Sequence, residues 1–139
     1  MISKNFLDAW SPRLLSVLRI IVGFLYMQHG TSKLFHYPVS MGHVHLFSFI
    51  GRAGVLETFG GALVLLGLFT RPAAFILSGE MAVAYFMVSA PRGFFPIANG
   101  GGDIVFYCFV FLYFAAAGGG AWSLDAWLRS PRTARASAG

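Results

Sequence analysis

Charge is scarce in this chain: of 139 residues, 11% are Asp, Glu, Lys or Arg, where a soluble domain carries about 25%. So thin a charged surface excludes an ordinary water-facing globule. Thiols are nearly missing as well. Cys108 stands alone, which excludes an intrachain disulfide and a Cys-x-x-Cys pair, and its apolar surroundings read as those of an inert thiol. There is no Walker loop, dinucleotide fingerprint, haem-attachment motif or Gly-x-Ser-x-Gly elbow, so redox chemistry here needs a bound cofactor or a partner. Alternation of apolar and polar residues is also absent. The stretch from Val105 to Ala117, VFYCFVFLYFAAA, is apolar on every side, which excludes a membrane β-barrel.

What is abundant is apolar surface, with 57% hydrophobic and 17% aromatic residues. A helix crossing about 30 Å of hydrocarbon needs about 20 mainly apolar residues. Four segments meet that need, at about 12–35, 54–70, 72–90 and 103–122. The expected fold class is therefore an all-α membrane protein, a four-transmembrane-helix up-down bundle in the lipid bilayer. It occupies residues 1–129 and is followed by a disordered basic tail over 130–139. The first segment carries Arg19, His29 and Lys33 and lacks a small-residue cleavage site, so it is expected to stay in the mature protein.

The basic excess, with a pI near 9.9, forms no stripe with interleaved aromatics and implies no nucleic acid partner. Lys4, Arg13, Arg71, Arg129, Arg132 and Arg135 fall on one side of the spans, and Arg52 and Arg92 on the other. The excess of cations in cytoplasmic loops places both termini in the cytoplasm, in a cell inner (plasma) membrane. Trp10, Trp122 and Trp127 read as interfacial anchors on the same side. Ser123 to Arg129 reads as a short surface helix capped by Ser123.

Ionised groups inside a bilayer are costly, about 2.5–3.5 kcal/mol at the centre on insertion scales, so their positions are informative. At about 100° per residue, Arg19, Tyr26, Gly30 and Lys33 project within about 40° of one direction, with His29 about 80° to the side. That face must turn inward. On the second segment Glu57, Gly60, Gly61, Val64, Gly67 and Arg71 share a face whose small residues permit close helix contact. Arg71 serves as a topology anchor before Pro72, whose ring suits a first helical turn. Glu80 falls mid-span and is expected to be protonated or paired, with Arg19 as its partner. Asp103, after three glycines, is placed to cap the last span.

Antiparallel spans bring His29, Lys33, Glu57 and Asp103 to one depth near the outer leaflet, with Arg52 and Arg92 in the adjoining loops. The expected reading is a ligand or proton site, and the alternative is that these groups only fasten helices together. In the first loop, His43 and His45 form a His-x-His pair with His36 nearby, but without a further ligand no metal site is assigned. Met41, Val44, Leu46, Phe47, Phe49 and Ile50 in this loop are expected to dip into the headgroup region, and Phe94, Phe95 and Pro96 from the other loop likewise.

The pattern Arg19, Gly23, His29-Gly30, Lys33-Leu34-Phe35, then Glu57, Gly60-Gly61, Leu65-Leu66-Gly67-Leu68, Thr70-Arg71, then Asn99-Gly100-Gly101-Gly102-Asp103 and Ser123-Leu124-Asp125 resembles the DoxX family over nearly the whole chain. Asp103 stands where that family often has Glu, keeping the charge with a shorter reach. The family is similar to the small membrane subunit of thiosulfate:quinone oxidoreductase. The resemblance thus implies a quinone-linked redox subunit with a membrane or soluble redox partner and quinone as the bound cofactor, in a chain that can form a homo-oligomer. In that reading His29, Lys33, Glu57 and Asp103 carry the chemistry, and His29, Lys33, Glu57 and Arg92 hold the quinone. Arg19, Glu80 and Arg71 are structural. The alternatives are a non-catalytic scaffold or adaptor for a redox complex, and a small-solute or proton transporter.

Overall fold

Ser3 opens the first helix, its hydroxyl accepting a hydrogen bond from the Phe6 amide at 3.2 Å, which satisfies one of the donors that a helix start leaves free. Helix α1, Lys4–Leu34, therefore begins well before the boundary expected at Pro12. In this computed structural model, which describes residues 2–130, the secondary structure of the described residues is entirely helical. The expected tail from 131 onward, with Arg132 and Arg135, lies outside them.

Ser48 caps helix α2, Phe49–Leu66, by accepting from the Gly51 amide at 3.1 Å, so this helix too starts earlier than expected. It ends at Gly67, whose φ of 70° is left-handed. Here the Leu68 amide reaches back to the Leu63 carbonyl at 3.0 Å and the Gly67 amide to Val64 at 3.1 Å, the paired bonds of a glycine-terminated helix. That turn corrects the expected face on this segment: Gly67 is the helix cap, and Arg71 belongs to the first turn of helix α3, Thr70–Ala84. Helix α3 continues through a π-helical turn, Tyr85–Ser89, and a 3₁₀ turn, Ala90–Arg92.

After a four-residue helix α4, Pro96–Asn99, come α5, Gly102–Ala117, and α6, Leu124–Arg129. The Ser123 cap of α6 is present, accepting from the Ala126 amide at 3.1 Å. Lys4–Leu34, Phe49–Leu66 and Thr70–Arg92 are long and apolar enough to cross a membrane. The fourth expected span is shorter than predicted. Helix α5 has 16 residues, because Gly118 and Gly120, with φ of 82° and 84°, turn the chain back across the bundle end.

Neighbouring helices run antiparallel. Gly23 of α1 lies against Leu65 and Gly61 of α2, and Gly30 against Thr58 and Gly54. Helix α3 packs on α5, where Ser78 donates to the Cys108 carbonyl at 2.7 Å. The buried core takes Tyr26 from α1, Val64 from α2, Leu77 and Met81 from α3, and Phe111 and Phe114 from α5. At the far end of α3, the Tyr85 hydroxyl donates to the Phe94 carbonyl. Buried Asn99 donates to that hydroxyl at 3.1 Å and to the Gly93 carbonyl at 2.7 Å, and accepts from the Gly101 amide at 2.8 Å. This net ties the loop between α3 and α5 to the helix end.

Arg19 organises the opposite end. Its side chain is buried, with 1% exposure, and its donors go to backbone carbonyls: Nε to Gly119 at 2.9 Å, Nη1 to Val64 at 2.9 Å and Leu65 at 2.7 Å, and Nη2 to Trp122 at 2.5 Å. A cation thereby closes the negative end of the α2 dipole. Asp125 does the converse for α3, accepting from the Phe69 and Thr70 amides, each at 2.9 Å. Trp10, Trp122 and Trp127 stand partly exposed around this end.

Two outcomes follow from these contacts. A Cβ at position 30 would lie 2.5 Å from the Thr58 amide nitrogen and 2.7 Å from the Gly54 carbonyl, whereas one at Gly79 meets nothing within 4 Å. Gly30→Val is expected to cost about 1–3 kcal/mol through overpacking and to lower the melting temperature of the detergent-purified protein, with Gly79→Val near wild type. Equal effects would show that the seam is not tightly packed.

Burial of the Asp125 carboxyl acts to raise its pKa, but the hydrogen bonds from Thr70 and Phe69 and the charge of Arg129 outweigh it and hold the group below its ordinary value of 3.8. The stabilisation from this cap is complete above that value and is lost as the pH falls through the depressed one. The difference in melting temperature between wild type and Asp125→Asn should therefore shrink as the buffer is taken below pH 3.8. A constant difference would count against the cap.

Candidate functional site

The face of α1 bearing Arg19, Tyr26, Gly30 and Lys33 turns inward as its spacing predicts, and Arg19, Gly23, Tyr26 and Gly30 are buried. Because α2 runs antiparallel, Lys33 near the end of α1 meets Glu57 in the first half of α2. Lys33 Nζ lies 2.7 Å from both Oε1 and Oε2 of Glu57, with side-chain exposures of 18% and 5%. It is the sole ion pair between side chains among the described residues.

This pair forms part of the wall of a cavity of about 460 Å³ at the end of the bundle away from Arg19. His29, Lys33, Glu57 and Asp103, the four residues expected to converge, all line it, together with Tyr26, Glu80 and Tyr107. Much of the remaining wall is apolar. Met41, Val44, Phe49 and Ile50 close one side, so part of the first loop that was expected to enter the headgroup region faces the cavity. Leu46 and Phe47 do not line it, and like Met41, Phe49 and Ile50 they remain exposed.

His29 Nδ1 lies 3.3 Å from the Leu25 carbonyl. A carbonyl can only accept, so that nitrogen carries the proton, and in a neutral ring Nε2 is left as an acceptor. The imidazole packs edge-on to Tyr107, with centroids 5.8 Å apart. The Lys33 ammonium has three donors, and its two bonds to Glu57 leave one for a ligand. Asp103 sits exposed at the rim. It does not cap α5 as expected: Gly101 holds the cap position, and Asp103 lies in the first turn with Oδ1 accepting from the Ile104 amide at 3.0 Å. Its negative charge still favours that helix end.

Glu80 is not paired with Arg19, whose donors are engaged with backbone carbonyls at the other end of the bundle. Its partner is Tyr26, whose hydroxyl donates to Oε2 at 2.7 Å. Oε1 is buried and has no hydrogen-bond partner. Tyr107 was missed as a site residue because it lies within an apolar run, with no periodic polar face to mark it. Arg92 and Arg52 are exposed and do not line the cavity, and Arg71 is exposed near Gly118, at the Arg19 end.

The sequence model of the DoxX family, described as DoxX, matches residues 14–90. That range takes in α1 from Leu14 onward, α2, α3 and the π-helical turn that follows it, and leaves Asp103 and Tyr107 outside. A protein of Haemophilus influenzae, described only as uncharacterized, is 47% identical over 131 residues, covering 87% of this chain and 95% of its own length. No solved structure matches the chain.

The ion pair generates a test that separates it from simple packing. Glu57→Gln leaves the half-buried Lys33 ammonium without its counter-charge, at a cost below the about 3–5 kcal/mol of a fully buried pair. Replacing both residues, Lys33→Gln/Glu57→Gln, should recover most of that loss in unfolding of the detergent-purified protein. If the two single losses simply add, the groups are not energetically coupled.

Proposed function

The chain belongs to the DoxX family, and from that membership we propose that it is a quinone-linked redox subunit of a membrane complex, with the head group of the quinone received by the Glu57 cavity. The observation that carries this reading is the cavity itself. It falls within the about 300–1,000 Å³ typical of ligand sites and has their composition, apolar walls with a few convergent polar groups. The orphaned Oε1 of Glu80 is a further mark of a site built for a polar ligand, because buried polar atoms are normally satisfied.

In this reading the protein is a four-helix bundle in the plasma membrane, with α5 as a short fourth span. The cavity opens toward the outer leaflet and both termini are cytoplasmic. Lys4, Arg13, Arg71 and Arg129 at the Arg19 end support that orientation through the positive-inside rule, as do the three tryptophans there.

The free donor of Lys33 binds and orients a ligand carbonyl, Nε2 of His29 accepts from the hydroxyl of the reduced ligand, and Glu57 holds Lys33 in place. Asp103 at the rim exchanges protons with water. A bound quinone supplies a reversible acceptor of two electrons and two protons, with the electrons drawn from a thiol or thiosulfate donor through a partner protein.

The test is binding of a short-chain quinone analogue to the detergent-purified protein, together with thiol- or thiosulfate-dependent quinone reduction in the presence of membrane extract. Lys33→Gln/Glu57→Gln, folded, is expected to weaken quinone binding about tenfold, the worth of one good hydrogen bond to a charged group, and His29→Ala to weaken binding of the quinol, while Arg71→Ala binds as wild type. Folded wild type that neither binds nor turns over, even with extract supplied, would replace this reading with that of a scaffold.

A further inference from the structure

Glu80 has a place in the cavity that the ion pair does not explain. Along α1 the polar lining rises in steps, Tyr26, His29 and Lys33, about 4.5 and 6 Å apart along the axis. Through its bond to Tyr26, Glu80 stands at the deep end of this ladder. Neither carboxyl state is satisfied there. With Tyr26 donating to Oε2, an acid proton on Oε1 has no acceptor and a carboxylate Oε1 has no donor. No cation lies within ion-pair distance, since Lys33–Glu57 is the sole pair among the described residues.

Resting on the quinone reading, we propose that the Glu80 carboxyl is the deep ligand contact of the cavity, turning so that Oε1, enclosed in this structure, meets a ligand oxygen that alternates between carbonyl and hydroxyl. A carbonyl accepts from the acid and a hydroxyl donates to the carboxylate, so such a couple satisfies Oε1 in both states. Polar groups at two levels, Glu80 below and His29 with Lys33 above, suit a ring with oxygens on opposite edges. On reduction by two electrons from the thiol or thiosulfate donor, one proton passes from Glu80 to the deep oxygen and the second enters from the mouth. Glu80 is left as a carboxylate accepting from the new hydroxyl. Oxidation returns the proton.

The other groups facing Glu80 across the cavity are Tyr26, His29 and Lys33 on α1, Glu57 on α2, and Asp103 and Tyr107 on α5. Their contributions are separated by a conservative variant. Glu80→Gln offers an amide donor and an acceptor but no exchangeable acid, and Glu80→Leu offers neither.

The experiment measures affinities of the full-length, detergent-purified protein for a short-chain benzoquinone analogue and for its quinol, across a range of pH. Wild type is expected to favour the quinol increasingly as pH rises, because the carboxylate accepts from it. Glu80→Gln should bind both forms with a ratio independent of pH, and Glu80→Leu should lose about tenfold for both. Wild-type affinity in folded Glu80→Leu, with quinone binding still weakened in Lys33→Gln/Glu57→Gln, would mean that Oε1 meets no ligand. That outcome overturns the role of Glu80 and leaves the quinone reading standing. A pH-dependent ratio persisting in Glu80→Gln would assign the proton to another group and equally overturn it. Absence of binding by wild type would remove the quinone reading and this inference together.

Discussion

A guanidinium shared among backbone carbonyls is the constraint on which the remainder of the molecule depends. Arg19 ties the last turn of α2 to the glycine turn after α5, and a few residues further along the chain Asp125 ties α6 to the start of α3. Carbonyl oxygens at a helix end have no intrahelical donor, and in lipid they have no water either. A planar donor fork can reach several at once, which an ammonium could not do with the same geometry. With one end of the bundle fastened in this way, α1 and α2 meet glycine to backbone along their length, and the cavity walled by the Lys33–Glu57 pair lies at the opposite end.

The two ends thus handle buried polarity in contrasting ways. At the Arg19 end the guanidinium is satisfied by the protein's own carbonyls. At the cavity end the ion pair leaves one lysine donor over, the histidine keeps an acceptor, and a carboxyl oxygen has no partner at all. Unmet hydrogen-bonding capacity in an apolar surrounding destabilises a fold, and apart from the Thr70 hydroxyl at the Arg19 end it gathers, among the described residues, around this cavity.

Much of this was legible from residue spacing. The inward face of α1 follows from helical periodicity, and antiparallel connectivity then places Lys33 beside Glu57 and brings His29 and Asp103 to the same cavity. What spacing could not supply was the choice of partners. Arg19 and Glu80 both look like mid-span charges in search of each other, yet backbone carbonyls, which every residue carries and no sequence pattern marks, win the arginine. The tyrosine that takes Glu80 was visible on the α1 face, but only as a polar neighbour. Element ends were the other weak point. Ser3 and Ser48 start helices earlier than hydropathy suggests, and Gly118 stops α5 while the sequence is still apolar, because local capping and left-handed turns decide ends that hydropathy does not register. The tail beyond residue 130 carries the remaining expectation, and it lies outside the described residues.

The π-helical turn of Tyr85–Ser89 bears on how such a chain can change over evolutionary time. A π turn accommodates a surplus residue within an otherwise regular helix. Here Ala84, just before it, and Val88, within it, both face the cavity, while Tyr85 at its start is held by the Asn99 loop. Loss of one residue from this stretch would let the helix regularise and rotate everything beyond it by about 100°, detaching that loop from its anchor. Related chains should therefore exchange side chains here far more readily than they gain or lose a position, and length in this segment is the more constrained character.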